Sequence, residues 1–300
     1  MRHFVMLLLA GALAAQTVNY TYDSAGRLTG VTYPNGKVLT YSYDPAGNLR
    51  LRTVGTPVAG AAPVSSAAGI ANSGSFLGGP VAAGELVTIF GTGIGPASLI
   101  TGVLTSFGFF DSYLSDTAVT FDGVPAPLIY VSGGQSTAIV PYAVAGKAST
   151  QMVIRYQGRS SVPITVPVVA AAPGLFSANS TGAGNGAILN DDNITHNGPT
   201  KPALKGAIVV LFGTGEGQTS PAGVDGRPAN TVYPKPVLPL SVSIGGIAAQ
   251  VLYYGAAPTL VAGVLQINVV VPLGVPSGNV PVVVKVGSFL SQSGLTVAVQ

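Results

Sequence analysis

Residues 84–93 read GELVTIFGTG, and residues 206–215, which lie 122 positions later, read GAIVVLFGTG. In both stretches, aliphatic and β-branched residues between two glycines favour a buried strand, and the closing Gly-Thr-Gly favours a tight turn. Two more pairs of segments repeat further along the chain: 119–125 with 242–248, and 144–169 with 275–300. The sequence therefore predicts two copies of one β-domain.

Short apolar runs separated by Gly, Pro or Asn divide each copy into about six strands. In the first copy they are residues 86–90, 118–121, 128–131, 137–140, 151–156 and 164–168; in the second copy they are residues 207–212, 240–244, 251–254, 265–271, 280–286 and 295–299. Strands of this number and spacing predict an antiparallel sandwich in each copy. The expected fold class is all-β, with two tandem antiparallel Ig-like β-sandwiches.

The composition limits the chemistry that the chain can perform. It has 300 residues, of which 47% are hydrophobic and 8% charged, so it is too apolar and too weakly charged to be disordered. The absence of Cys excludes disulfides, thiol nucleophiles and Cys-ligated metals. A net charge of +3 is too small to indicate nucleic-acid binding. We expect no cofactor and no nucleic-acid partner.

The first fifteen residues, MRHFVMLLLAGALAA, have the pattern of a secretory signal peptide. Arg2 is followed by an apolar stretch, residues 4–13, and by the small-x-small cleavage pattern Ala12-Leu13-Ala14. The apolar stretch is too short to span a bilayer, and no later segment predicts a membrane helix. We expect a secreted or cell-surface protein with no membrane span after cleavage.

A 21-residue repeat follows in residues 20–53, YTYDSAGRLTGVTYPNGKVLTYSYDPAGNLRLRT. Alternating tyrosines are typical of strands, and Asp-x-x-Gly is typical of turns. The segment therefore predicts about two short β-hairpins. The positions that recur in register are Tyr20 as Tyr41, Tyr22 as Tyr43, Asp23 as Asp44, Ala25 as Ala46, Gly26 as Gly47 and Leu28 as Leu49.

The motifs Tyr22-Asp23-x-x-Gly26-Arg27-Leu28 and Tyr43-Asp44-x-x-Gly47-Asn48-Leu49 resemble the YD repeat of RHS proteins. In that family, dozens of repeats stack into a hollow shell, and some members are thought to bind carbohydrate. Only about one and a half units are present here, and a repeat unit cannot bury its face alone, so no shell can form. The resemblance implies a short YD-repeat β-hairpin segment in front of the two sandwiches.

The tyrosines of this segment have two interpretations. Five of the twelve Tyr residues of the chain lie between positions 20 and 43, with basic residues close by. Exposed aromatic rings can stack on sugar rings, and cations can hold an acidic polysaccharide; alternatively, the tyrosines only pair across strands. The candidate ligand-binding residues are Tyr20, Tyr22, Asp23, Arg27, Tyr41, Tyr43 and Asp44.

Residues 86–96, LVTIFGTGIGP, and residues 119–132, VTFDGVPAPLIYVS, resemble the IPT/TIG class of Ig-like domains. Residues 62–300 as a whole resemble a tandem Ig-like C-terminal module of secreted bacterial proteins of unknown function. The resemblance implies a fold and export but no activity. The expected organisation is a signal peptide 1–15, YD hairpins 16–53, a linker 54–69, a first sandwich 70–170, a connection 171–205 and a second sandwich 206–300.

The loop at residues 213–236 is long for a sandwich connection, and long ordered loops are often functional. Its candidate ligand-binding residues are Glu216, Asp225, Arg227 and Tyr233. Glycoside hydrolysis needs two carboxylates facing one cleft, yet nothing in the sequence pairs Glu216 with Asp225. The matching loop of the first copy, residues 98–113, is apolar instead, and its phenylalanines either pack on the neighbouring domain or bind a partner.

Three other candidates have simpler structural explanations. Asp191 and Asp192 are a weak metal candidate, since carboxylates can bind Ca²⁺, but a turn explains them as well. His196 is the only histidine after the leader, and it lacks the sequence context of a catalytic triad. The two Gly-Thr-Gly turns lack the third glycine of a dinucleotide-binding motif, and no helix is predicted after them.

The sequence thus favours an exported, non-enzymatic protein that acts in adhesion or ligand binding through its Ig-like sandwiches. One alternative is a carbohydrate-binding module that uses the YD tyrosines. A second alternative is an extracellular polysaccharide hydrolase. The expected partners are an extracellular polysaccharide or another surface protein.

Overall fold

A computed structural model describes residues 18–33, 37–55 and 61–300 of the chain. The described residues are nearly all β, and their one helical element is the 3₁₀ turn Tyr142–Val144, so the all-β fold class is confirmed. The predicted signal peptide and the predicted turn Pro34-Asn35-Gly36 lie outside the described residues. No helix in the described ranges is long and apolar enough to cross a membrane.

The chain divides into two compact units, residues 1–59 and 60–300. The first, the hairpin unit, is one antiparallel sheet in the order β1-β2-β3-β4. Each Asp-x-x-Gly motif closes a turn, in which the N–H of Gly26 donates to the Asp23 carbonyl at 3.0 Å and the N–H of Gly47 to the Asp44 carbonyl at 2.9 Å. The strands are β1 (Asn19–Tyr22), β2 (Leu28–Thr32), β3 (Val38–Tyr43) and β4 (Leu49–Gly55).

The second unit begins with a sandwich, sandwich 1. Its strands are β5 (Val64–Asn72), β6 (Leu86–Thr92), β7 (Ile100–Thr101), β8 (Tyr113–Leu114), β9 (Thr117–Phe121), β10 (Val124–Pro125), β11 (Leu128–Val131), β12 (Gln135–Ile139), β13 (Ser149–Tyr156), β14 (Arg159–Ser160) and β15 (Ile164–Pro167). One sheet has the order β5-β6-β12-β11-β7; the other has the order β10-β9-β13-β14, with β8 and β15 added. Val87 and Ile89 of the first sheet pack with Phe121 and Ile154 of the second in one buried core.

Sandwich 2 follows. Its strands are β16 (Gly174–Leu175), β17 (Gly184–Asn185), β18 (Ile188–Leu189), β19 (Ile208–Thr214), β20 (Thr219–Ser220), β21 (Lys235–Pro236), β22 (Leu240–Ile244), β23 (Ile247–Ala249), β24 (Val251–Ala256), β25 (Leu265–Val270), β26 (Gly278–Val286), β27 (Phe289–Leu290) and β28 (Leu295–Val299). Sheets β16-β19-β25-β24 and β17-β28-β26-β22-β23 enclose its core, in which Leu211 and Ile267 meet Val282 and Val297. The strands β20 and β21 form a separate ribbon.

Two segments differ from the expected organisation. Strand β5 begins at Val64, inside the segment 54–69 that the sequence predicts as a linker. Strands β16, β17 and β18 lie inside the predicted connection 171–205, and they pair with β19 and β28 of sandwich 2. Residues 171–205 therefore extend the sheets of sandwich 2.

The two sandwiches meet at a third apolar cluster, the junction cluster. Leu86 and Ile139 of sandwich 1 pack there with Ala257, Val261 and Val264 of sandwich 2. Packing on the neighbouring domain, one of the two roles that the sequence left open for the phenylalanines of the apolar loop, is found for Phe110. Phe110 packs against the junction cluster, and its N–H donates to the Gly226 carbonyl at 2.9 Å, whereas Phe107 is exposed.

Candidate functional site

The four YD tyrosines share one face of the hairpin unit. Directly paired residues of antiparallel strands lie on the same face, and so do residues two apart along a strand. Tyr20 and Tyr22 are two apart on β1, and Tyr41 and Tyr43 are two apart on β3. The pairing register connects the two strands through one row, made of Tyr20, Val31, Leu39 and Val54. All four tyrosines therefore lie on the face of this row, which we call the tyrosine face.

The tyrosine face combines exposed rings with a buried centre. The exposed fraction is 57% for Tyr20 and 61% for Tyr22, both on the edge strand β1. Tyr41 and Tyr43 are half-buried, and Val31 and Leu39 between the two tyrosine pairs are buried. The rings of Tyr20 and Tyr22 are thus the part of this face that a ligand can reach most easily.

Arg27 links the two YD motifs. Its guanidinium carbon lies 4.9 Å from the centre of the Tyr43 ring, the geometry of a cation–π contact. Its Nη1 donates to the Asp44 carbonyl at 3.3 Å, and the Tyr43 hydroxyl donates to the Leu28 carbonyl at 2.8 Å. Arg52, directly paired with Tyr41, adds a second cation on the tyrosine face. The face therefore carries aromatic rings, hydroxyl groups and two guanidinium groups together.

The two aspartates of the YD motifs hold the turns and do not project as free ligands. Asp23 accepts from the backbone N–H of Arg27 at 2.8 Å and from its Nε at 2.7 Å. Desolvation raises the pKa of Asp23, but these hydrogen bonds and the Arg27 charge outweigh it, so the pKa is lowered. Asp44 accepts from the side chain and the backbone of Asn48, which lowers its pKa. Asn48, which the repeat places at the position of Arg27, makes the same turn contact.

The candidate carboxylate Glu216 lies at the contact between the two sandwiches, and it is 2% exposed. Its Oε2 has no hydrogen-bond partner among the described residues, and burial raises its pKa to about 7. Glu85 of sandwich 1, which is 1% exposed, lies close enough for the Glu216 charge to act on it. Burial, with that charge added, raises the pKa of Glu85 to about 8. The contact therefore contains two carboxyl groups that hold their protons near neutral pH.

Glu85 and its partner Asn72 are residues that the sequence analysis missed. Glu85 accepts from the Ala82 N–H at 2.7 Å and from Asn72 Nδ2 at 2.8 Å. The same Nδ2 also donates to the Ala172 carbonyl at 2.9 Å, so Asn72 connects sandwich 1 to the chain that leads into sandwich 2. One signal was present: the repeat places Glu85 where the second copy has Ala207, a charged residue at the start of an apolar strand.

Asp225 and Glu216 both lie near Tyr142. Asp225 accepts a hydrogen bond from it, and the charges of both groups affect its pKa. The N–H of Tyr142 donates to Asp225 Oδ1 at 2.9 Å. Burial raises the pKa of Tyr142 well above its usual value, and the charges of Glu216 and Asp225 add to this effect. Burial also raises the pKa of Asp225. In this arrangement a substrate cannot touch Glu216, so the two carboxylates do not form the cleft that glycoside hydrolysis requires.

The remaining candidates of the 213–236 loop lie elsewhere. Arg227 is exposed, and its backbone carbonyl accepts from the Ala262 N–H at 2.8 Å. Tyr233 is 42% exposed, and its hydroxyl donates to the Asn230 carbonyl at 3.3 Å. Its charge contributes to the raised pKa of Tyr253, whose first cause is burial. Tyr233 and Tyr253 are therefore neighbours.

Asp191 and Asp192 occupy a surface turn. Asp192 Oδ1 accepts from the backbone N–H groups of Ile194 and Thr195, at 2.9 and 2.7 Å, which is turn chemistry. The described residues contain no group of three or more His, Asp or Glu side chains that could hold a metal ion. Asp191 lines a cavity of about 160 Å³ with Leu204 and Ile208, which is smaller than the roughly 300 Å³ at which ligand pockets begin.

Comparison with known proteins assigns the N-terminal unit. The RHS repeat family model matches residues 17–58, which confirms the RHS resemblance of this segment. No curated protein matches the sequence. Among solved structures, the chain is similar to "SGBP-B from a complex xyloglucan utilization locus in Bacteroides uniformis", with 11% identity and a TM-score of 0.23. The similarity covers 72% of this chain and 46% of that chain, so this chain spans less than half of that protein.

Proposed function

We propose that the chain is an exported, non-enzymatic binding protein whose hairpin unit binds polysaccharide through the tyrosine face. The observation that supports this proposal is the placement of Tyr20, Tyr22, Tyr41 and Tyr43 on one face, with the rings of Tyr20 and Tyr22 more than half exposed. Neighbouring exposed aromatic rings form a patch, and such patches mark binding sites more often than rings that are exposed singly. A sugar ring suits it, because its C–H face is apolar and its rim is polar.

The charges of the hairpin unit favour an acidic polysaccharide. Arg27 and Arg52 both lie with the tyrosines, but the Nε of Arg27 already pairs with Asp23, and Asp23 and Asp44 are engaged in their turns. The guanidinium of Arg52 can bind a carboxylate with two parallel hydrogen bonds, which a uronic acid unit can accept, while Arg27 adds positive charge. Because both cations are near the surface, this part of the affinity weakens as salt is added.

The role proposed for sandwiches 1 and 2 is that of IPT/TIG-like, Ig-like modules in an extracellular or surface protein. Their repeat and the two packed sheets of each copy support this class, and the leader at residues 1–15 supports export. Adhesion to another surface protein is a second candidate function, favoured by the exposed apolar loop around Phe107. The hairpin unit carries the more specific chemistry, so polysaccharide binding is the first candidate.

Replacing Tyr20 and Tyr22 together by Ala is expected to weaken binding of the full chain to polygalacturonate by about tenfold or more, since two stacked rings would lose roughly 1.4 kcal/mol or more. The measurement is isothermal titration at low and at high salt. Thr21→Ala is the matched control, because Thr21 lies between the two tyrosines on the opposite face of β1 and is also exposed. Equal affinities for the double variant and for Thr21→Ala would contradict the proposal.

A further inference from the structure

Sandwich 1 carries an aromatic–amide–aromatic cluster on three adjacent strands. Phe90 on β6 is 40% exposed and pairs directly with Gln135 on β12. Gln135 Nε2 donates to the hydroxyl of Tyr130 on β11 at 2.5 Å. Gln135 and Tyr130 are half-buried. We call these three residues the Phe90–Gln135–Tyr130 platform.

The platform lies on the outer face of its sheet. Along β6, Val87 and Ile89 point into the core of sandwich 1, so Leu86, Thr88 and Phe90 point outward. Leu86 belongs to the junction cluster, and Phe90, four residues further along the strand, is exposed. The outer face is therefore covered by sandwich 2 at one end and open at the other, where the platform lies.

The same three residue types recur in sandwich 2 at equivalent positions. Tyr130 pairs with Thr137 after a bulge in β11, and Tyr253 pairs with Asn268 after a bulge in β24. In the same register Gln266 pairs with Phe212 as Gln135 pairs with Phe90. The counterparts of the platform are therefore Phe212, Gln266 and Tyr253.

Packing explains this trio in only one of the two copies. Phe212 packs against the junction cluster, but Phe90 is 40% exposed and is not among the residues of that cluster. Other positions on the same outer face differ between the copies, with Thr88 replaced by Val210 and Thr137 by Asn268. Packing between the sandwiches therefore does not account for the presence of Phe90 beside the Gln135 amide in sandwich 1.

The surroundings of the platform are open and uncharged. Residues 86–97 and 126–138 contain no Asp, Glu, Lys or Arg. Phe90 is 40% exposed, so this end of the outer face reaches solvent. Among the described residues, the Gln135 side chain bonds to Tyr130 through one Nε2 hydrogen, which leaves its Oε1 and the other Nε2 hydrogen for a ligand.

We propose that the Phe90–Gln135–Tyr130 platform is a second binding site of the chain, specific for a neutral polysaccharide. Phe90 and Tyr130 lie on strands about 9.6 Å apart and are offset by two residues along them, so their rings suit sugar rings of one chain that are separated by at least one intervening unit. The Gln135 amide between them donates to and accepts from sugar hydroxyl groups. The lack of charge distinguishes this site from the tyrosine face, whose guanidinium groups favour acidic sugars. The proposal does not depend on binding at the hairpin unit.

The test uses the full chain and three neutral hexasaccharides, of β-1,4-glucan, β-1,4-mannan and β-1,4-xylan, in isothermal titration. The wild-type chain is expected to bind at least one of them. Phe90→Ala and Gln135→Ala are each expected to weaken that binding by about tenfold, with unchanged thermal unfolding. Phe107→Ala is the matched control, since it removes an exposed Phe from a loop of the same sandwich.

Three outcomes would overturn the second site. The first is that the wild-type chain binds none of the three hexasaccharides. The second is that Phe90→Ala and Gln135→Ala bind as tightly as the wild-type chain and Phe107→Ala. The third is that Tyr20→Ala/Tyr22→Ala alone abolishes hexasaccharide binding, in which case the second site fails while the tyrosine face is supported. A loss restricted to the Phe90 and Gln135 variants supports the platform whatever happens with polygalacturonate.

Discussion

Replacing Glu216 by Gln is expected to stabilise the second unit at pH 8 by on the order of 3 kcal/mol. Glu216 is 2% exposed, and burial raises its pKa from 4.5 to about 7. In the unfolded chain the same carboxyl is ionised above pH 4.5, whereas the folded protein keeps it protonated up to about pH 7. Gln has nearly the same shape and no charge, so the variant avoids the cost of burying an ionised group.

The sign of the pH dependence follows from this difference. Between about pH 4.5 and 7 the folded state binds more protons than the unfolded state, so the free energy of unfolding falls as the pH rises. The fall is about 1.4 kcal/mol per pH unit for one carboxyl. Glu85, whose pKa is raised to about 8, extends the same trend to higher pH. The contribution of both carboxyls is thus fully present below pH 4.5 and is lost as the pH passes through 7 and 8.

Thermal unfolding of the full chain from pH 5 to pH 9 measures this effect. At pH 8 the Glu216→Gln variant is expected to melt on the order of 5–10 °C above the wild-type chain. The two should converge near pH 5. Asp191→Asn is the control, because Asp191 is exposed and loses its charge without relieving any burial. A wild-type melting temperature that stays constant between pH 5 and pH 8 would contradict the burial argument.

Replacing Gly215, at the turn after β19, by Ala is expected to destabilise the second unit strongly. Its φ is +81°, in the left-handed region that L side chains rarely adopt. A Cβ there would overlap the Ala172 carbonyl oxygen and lie 2.6 Å from its carbon, which is backbone and cannot move aside. Gly215→Ala therefore combines backbone strain with a clash next to Glu216. We expect a loss of about 4 kcal/mol or more in the free energy of unfolding of the second unit.

The repeat supplies an internal control for this prediction. Gly93 is the equivalent residue of sandwich 1, with φ +64°, and a Cβ on Gly93 would have no neighbour within 4 Å. Gly93→Ala should lose only the strain of the left-handed conformation, about 1–2 kcal/mol. Urea unfolding of both variants and the wild-type chain compares the two losses. If both variants lose the same amount, the close approach of Ala172 to Gly215 is not what requires glycine there.

Local patterns were enough to predict most of the sandwich strands. Residues 128–131 were predicted as a strand and form β11 with the same bounds. A short apolar run that is bounded by Pro and by a Gly-containing turn is too short for a helix and favours a strand. Strand β5 was harder, since the Ser, Ala and Gly residues of 64–69 favour a linker by propensity. Its pairing with β6 overrides that preference.

The contact between the sandwiches could not be predicted in the same way. Gly93 and Gly215 have the same local sequence, yet only Gly215 lies against a distant backbone carbonyl. Glu85 and Glu216 are 131 residues apart, so their proximity depends on how two complete sandwiches pack. The tyrosine face, in contrast, could be predicted in part. Its four rings come from a local repeat, and because residues two apart on a strand share a face, the two tyrosines of each pair were expected on the same face of the sheet.

The most direct test of polysaccharide binding by the tyrosine face is an NMR titration of the full chain with ring-labelled tyrosines. Oligomers of galacturonic acid are added, and the twelve tyrosine ring signals are assigned by single Tyr→Phe variants. The signals of Tyr20 and Tyr22 are expected to shift first and furthest, followed by those of Tyr41 and Tyr43, and added salt is expected to reverse the shifts. Shifts confined to tyrosines of residues 60–300, or no shift at any concentration, would contradict it.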